Sequence, residues 1–201
     1  GIQYRGQDYS QKYINPYPHL VRLSNSNGKL VESSSSIIDD NDGKGMWCGV
    51  AHDASAGDPD NDGDIDIYAC DVLLINDGIG NFSVHPYINF TWQINNQYGN
   101  PMSSLMVDLN NDDYDDLVFW NFDNRQFWSD ADEGYILLSN GSADIQSWKK
   151  VSLPTGPFGE NKNKYNHAAS EDFNNDGFKD IVVAITRDDP YYEGAYIQVL
   201  I

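Results

Sequence analysis

A chain of 201 residues that is 40% apolar and 13% aromatic carries enough hydrophobic side chain for a packed core, which excludes a disordered acidic tail. Thirty-one acids against twelve bases set the formal charge at −19, which argues by repulsion against nucleic acid or anionic membrane as partners and makes cations the natural ones. No run approaches the roughly 18 apolar residues of a membrane-spanning helix, so membrane insertion is not expected, and residues 1–20 are polar and tyrosine-rich, unlike an export signal.

In chain order, the first recognisable element is Leu20-Val-Arg-Leu-Ser-Asn-Ser-Asn-Gly28-Lys-Leu30, an apolar strand that enters an Asn/Gly turn and leaves it on another apolar residue. That pattern predicts a β-hairpin. Ala54 and Ala56 then alternate with other residues as on a tightly packed strand, and lead into Asp58-Pro-Asp-Asn-Asp-Gly-Asp-Ile-Asp66-Ile67. Ile65-Asp-Ile-Tyr68 reads as a second strand, and Leu73-Leu-Ile-Asn-Asp-Gly-Ile-Gly-Asn-Phe82 as a hairpin supplying a third and fourth. The order then recurs. Ser104 and Met106 precede Asp108-Leu-Asn-Asn-Asp-Asp-Tyr-Asp-Asp116-Leu117, followed by Leu117-Val-Phe-Trp120 and the hairpin motif Tyr135-Ile-Leu-Leu-Ser-Asn-Gly141. Ala168 and Ser170 precede Asp172-Phe-Asn-Asn-Asp-Gly-Phe-Lys-Asp180-Ile181 and the strand Ile181-Val-Val-Ala-Ile185.

The loops begin 50 and then 64 residues apart, and four antiparallel strands per repeat of that length make the blade of a β-propeller. The predicted fold is therefore all-β, with a partial blade over 1–37 (third and fourth strands), a first full blade with linker over 38–101, a second over 102–164, and a partial blade over 165–201. About three and a half blades are too few to close a ring, since propellers have at least about four. The expectation is an incomplete ring, a fragment of a longer propeller or one completed by a second copy.

The loops hold the chemistry. Thirteen of the acids lie inside them, so the excess charge is concentrated. Calcium takes six to eight oxygen ligands, and short acidic side chains at alternating positions of a tight turn supply them. Positions 1, 3, 5 and 9 are Asp58, Asp60, Asp62 and Asp66; Asp108, Asn110, Asp112 and Asp116; and Asp172, Asn174, Asp176 and Asp180. Position 7, at Asp64, Tyr114 and Phe178, is expected to give its backbone carbonyl. Gly63 and Gly177 suit the sharp bend at position 6, where Asp113 stands in the second loop and predicts a less regular site. An EF-hand would need Glu at position 12, where Ala69, Phe119 and Val183 stand. Magnesium, which retains water and takes few carboxylates, fits less well. Three structural calcium ions are expected, with chelation destabilising the chain.

These loops, followed by Leu-Ile-Asn-Asp-Gly-x-Gly-x-Phe, resemble the FG-GAP/VCBS repeats of the integrin α-subunit propeller and of many bacterial surface and secreted proteins. The resemblance implies calcium on one face and ligand-binding loops on the opposite one. Two departures are Asp113 for glycine and the missing Gly-x-Phe turn after Asn140. By that topology the aromatics Trp92, Tyr98, Phe127, Trp128, Tyr191 and Tyr192 would gather on the ligand face, where flat rings stack on sugars or anchor a protein; packing of the loops against the blades is the alternative reading.

No nucleophile elbow, HExxH, P-loop or cysteine zinc pattern is present, and the carboxylates are committed to the loops, so no enzyme activity is expected of this chain. Cys48 and Cys70 flank the first loop on strands expected to pair; a disulfide and two small buried thiols are both open readings. The expected role is an extracellular or cell-surface recognition or adhesion module for a glycan or protein ligand, its export signal outside this chain. Alternatives are an accessory propeller of a polysaccharide-active enzyme and a structural protein of a surface layer, filament or virion.

Overall fold

The computed structural model describes residues 22–32, 37–38, 53–69, 72–86, 99–123, 130–131, 134–160, 162–187, 190 and 192–201. Among these the chain is all-β with one short 3-10 turn. The predicted first hairpin is β1 (Arg22–Ser24) paired with β2 (Leu30–Glu32). Its turn closes on Asn25, whose Oδ1 accepts from the N–H groups of Asn27 and Lys29.

A second sheet comprises β3 (Ile37–Ile38), β4 (Ala54–Gly57), β5 (Asp66–Ala69), β6 (Val72–Asn76) and β7 (Phe82–Pro86). Strands β4 to β7 form the predicted antiparallel meander, while β3 lies parallel to the outer strand, with Ile37 opposite Phe82. The next sheet holds β8 (Gly99–Val107), β9 (Asp116–Asp123), β10 (Asp130–Ala131), β11 (Tyr135–Leu138) and β12 (Lys149–Ser152). Its main path is again a four-stranded meander, β8-β9-β11-β12, with β10 extending the far end of β9. The last is β13 (Asn163–Glu171), β14 (Asp180–Arg187) and β15 (Ala195–Leu200), paired in sequence order. The inner strands face one another, β8 lying between β4 and β13.

Side-chain parity on β9 explains how the sheets stack. Successive residues of a strand point to opposite faces. Leu117 and Phe119 enter a cluster with Tyr68, Leu73, Met106, Leu137, Ile145 and Trp148, whereas Val118 and Trp120 enter another with Leu153, Tyr165, Ala168, Ile181, Val183 and Ile185. The apolar run Leu117-Val-Phe-Trp120 is thus buried on both faces, the signature of a sheet between two others. On β14 only Ile181, Val183 and Ile185 reach a core, and Ala184 is exposed. Ala54 and Ala56, predicted to pack tightly on one face, are exposed, because β4 buries Gly57 rather than its alanines against the next sheet.

The missing Gly-x-Phe turn has a substitute. After Asn140 the chain makes a 3-10 turn at Ile145–Ser147, capped by the Asp144 side chain, and inserts Ile145 and Trp148 into the core before β12 begins. The Trp148 indole N–H donates to the Ser142 carbonyl at 2.8 Å, so this bulky ring is buried without an orphaned donor. The inner strands share a further irregularity: register shifts lie between Pro101 and Ser103 on β8 and between Tyr165 and His167 on β13, each about six residues ahead of its loop.

Candidate cation-binding loops

Each aspartate loop joins an inner strand to the second strand of its sheet, and the three share one hydrogen-bond scheme. The position 1 carboxylate accepts from the N–H groups of positions 5 and 6: Asp58 from Asp62 and Gly63, Asp108 from Asp112 and Asp113, Asp172 from Asp176 and Gly177. The position 5 carboxylate accepts from the N–H of position 7, at Asp64, Tyr114 and Phe178. Short side chains that bond their own backbone a few residues on fold the chain into a tight turn with its oxygens turned inward.

The backbone follows the sequence closely at position 6, where Gly63, Asp113 and Gly177 have φ of 91°, 71° and 93°. Asp113 adopts the left-handed conformation glycine takes elsewhere, and so carries the strain expected of it. Position 4 is left-handed too, at Asn61, Asn111 and Asn175 with φ of 55°, 59° and 62°. Asparagine tolerates that region better than most residues, and its recurrence in all three copies was the signal for it.

Position 9 is the buried anchor. Asp66 and Asp116 are fully buried and Asp180 nearly so. Each starts its strand and ties the loop closed. Asp116 accepts from Ser139 N–H through Oδ1 at 2.9 Å and from Leu109 N–H through Oδ2 at 3.1 Å. Asp180 Oδ2 accepts from Phe173 N–H at 2.9 Å. Asp66 Oδ1 accepts from Asn76 N–H at 2.7 Å, but its Oδ2 has no partner. Loss of solvent pushes Asp116 up to about 6 and Asp66 up to about 7, the neighbouring loop carboxylates adding to the effect. Asp60 shifts in the same direction, first through burial and then through Asp62.

Asp58, Asp60 and Asp66 each bring a carboxylate oxygen within 4.8 Å of the others, and Asp60 Oδ1 is buried without a partner as well. A cluster of three carboxylates in which two buried oxygens have no donor fits an oxygen-seeking divalent cation, which would compensate them. In the other loops, position 3 is an asparagine whose amide donates to the position 5 carboxylate, Asn110 to Asp112 and Asn174 to Asp176, both at 2.9 Å.

The loops also touch one another. Asp58 N–H donates to Asp115 Oδ2, Asp115 N–H donates to the Asp58 carbonyl, and Ser139 Oγ donates to the Pro59 carbonyl. Asn111 Nδ2 donates to the Gly177 carbonyl. All three loops therefore lie at one end of the stacked sheets. Strand β14 runs away from its loop for eight residues, so the turn carrying Tyr192 lies about 23 Å away at the other end. Tyr192 is 59% exposed there, beside Arg187, whose carbonyl accepts from Tyr192 N–H. Trp92, Tyr98, Phe127, Trp128, Tyr191, Cys48 and Cys70 lie outside the described residues.

Antiparallel meanders of three or four strands, stacked by their inner strands and each opened by an aspartate loop, make whole or partial blades of a β-propeller. Residues 108–183, from the second loop through the third, match the model of the FG-GAP-like repeat family. No curated protein and no solved structure gives a significant match.

Proposed function

We propose that each loop holds a structural calcium ion and that the chain is a non-catalytic recognition or adhesion module working outside the cell. The observation that carries the calcium reading is the fully buried Asp66 carboxylate, which has an Oδ2 without a hydrogen-bond donor and lies in a cluster with the carboxylates of Asp58 and Asp60. In the first loop the ligands are Asp58, Asp60, Asp62 and Asp66 with the Asp64 carbonyl, and the equivalent positions serve in the other two. The ions fix the loop end of the blades, leaving the far end to meet a glycan or protein ligand. Support for that assignment comes from the repeat family, from the exposed Tyr192 bonded through its N–H to the Arg187 carbonyl, and from the rings around Arg187, where Phe158 meets Tyr196 edge-on at 5.5 Å and the Arg187 guanidinium sits 5.6 Å from the Phe158 ring. Aromatic faces beside a guanidinium suit sugar stacking and protein anchoring alike.

The test is a glycan array and a panel of purified surface proteins, probed in calcium and again in chelator. Binding that needs calcium and weakens in Tyr192→Asn, which removes the ring at a left-handed position asparagine tolerates, is the expected result. No glycan signal together with no retained protein would leave the recognition role without support.

A further inference from the structure

The three loops are not equivalent, and the difference traces to position 2. In the second and third loops that residue is Leu109 or Phe173, and its N–H donates to Oδ2 of the buried position 9 aspartate. In the first loop it is Pro59, which has no N–H to give. Asp66 Oδ2 is left without a partner inside a fully buried residue. Position 3 adds to the contrast: Asn110 and Asn174 bridge to their neighbouring carboxylates, whereas Asp60 contributes a further negative charge and a buried Oδ1 without a partner. The second and third loops thus meet Oδ2 of their buried aspartate with a main-chain N–H, and their exposed position 5 carboxylate with an amide. The first has no such substitute.

We propose that Pro59 makes the first loop the primary cation site of the chain, filled ahead of the other two by a divalent, oxygen-preferring ion such as calcium. A binding site gains from its ligand the difference between the loaded and empty states. An empty loop with an uncompensated buried carboxylate oxygen starts from a higher free energy, and its ion relieves more. Pro59 acts as a positioning residue here: by withholding a donor, it reserves Asp66 for the ion. This inference rests on the calcium reading above.

The experiment is a calorimetric titration of the chelator-stripped full chain with calcium, repeated for Pro59→Leu, Pro59→Ala and Asp66→Asn. The wild-type chain is expected to show one step at least about tenfold tighter than the rest, the size of one hydrogen bond to a charged group. Asp66→Asn should remove that step. Both Pro59 variants restore the N–H and should weaken the step about tenfold without changing the number of ions bound; alanine does so without adding bulk, should leucine disturb the fold. Equal steps in the wild-type chain, or a tight step that survives both Pro59 variants or the Asp66 one, would overturn the proposal while leaving calcium binding intact. Absence of calcium binding altogether would overturn it together with the reading on which it rests.

Discussion

Asp58 and Asp115 hold each other across two sheets: the N–H of Asp58 donates to the Asp115 carboxylate at 2.8 Å, and the N–H of Asp115 donates to the Asp58 carbonyl at 3.1 Å. Asp58 opens the first aspartate loop, and Asp115 stands next to the buried anchor of the second. Removing the carboxylate in Asp115→Ala leaves a part-buried N–H without its partner and should cost about 1–3 kcal/mol in chemical denaturation. Asp115→Asn, which keeps an acceptor oxygen, should lose less.

Gly57 makes room for that pair. A Cβ at this position would sit 2.5 Å from Asp115 Oδ2 and 2.7 Å from the Met106 Cβ. Gly57→Ala should therefore lower stability by about 1–3 kcal/mol through overpacking, although alanine favours strands no less than glycine does. A denaturation midpoint unchanged from wild type would show that the two sheets can part at little cost.

Trp120 is the largest fully buried side chain among the described residues, stacked on Tyr165 with ring centroids 5.4 Å apart and planes 17° from parallel. It links the middle sheet to the last. Trp120→Ala should destabilise by about 3–5 kcal/mol in urea denaturation, while a change at exposed Ile79 should have little effect.

Much of this was legible in the sequence because the repeats could be compared with one another. The spacing of Asp58, Asp108 and Asp172 located the loops, and the runs after them located the second strands, each with its anchor aspartate at the start. Glycine at position 6 in two loops identified the left-handed bend that Asp113 shares. What was not legible depends on contacts between repeats. The Asp115 carboxylate looked like one more acid of its loop, and Ser139 like a turn residue, until the neighbouring loop was beside them. Ile145 and Trp148 replace the absent Gly-x-Phe turn from a stretch with no counterpart in the first blade, so comparison could not find them. The parallel pairing of Ile37 with Phe82 joins two residues far apart in the chain, with only a two-residue strand to announce it.

Stability in the absence of cations should depend on pH in an unusual direction. The Asp66 carboxyl is raised to about 7 and that of Asp116 to about 6 in the folded chain, above the usual carboxylate value of 3.8. The folded state therefore holds more protons than the unfolded one, and its stability falls as pH rises from about 4 through about 7. In chelator, the melting temperature should be higher at pH 5 than at pH 8, and Asp66→Asn should flatten the trend. With calcium the order should reverse, because protons would compete with the ion for the same oxygens.

Divalent ions held by the three loops are expected to stabilise the blades, an effect read by thermal unfolding of the full chain in calcium, in magnesium and in chelator. At free calcium about 100 times the dissociation constant, each site adds about 2.7 kcal/mol, so calcium should raise the melting temperature by at least roughly 10 °C over chelator, with magnesium well behind. Superimposable unfolding curves in calcium and chelator would contradict it.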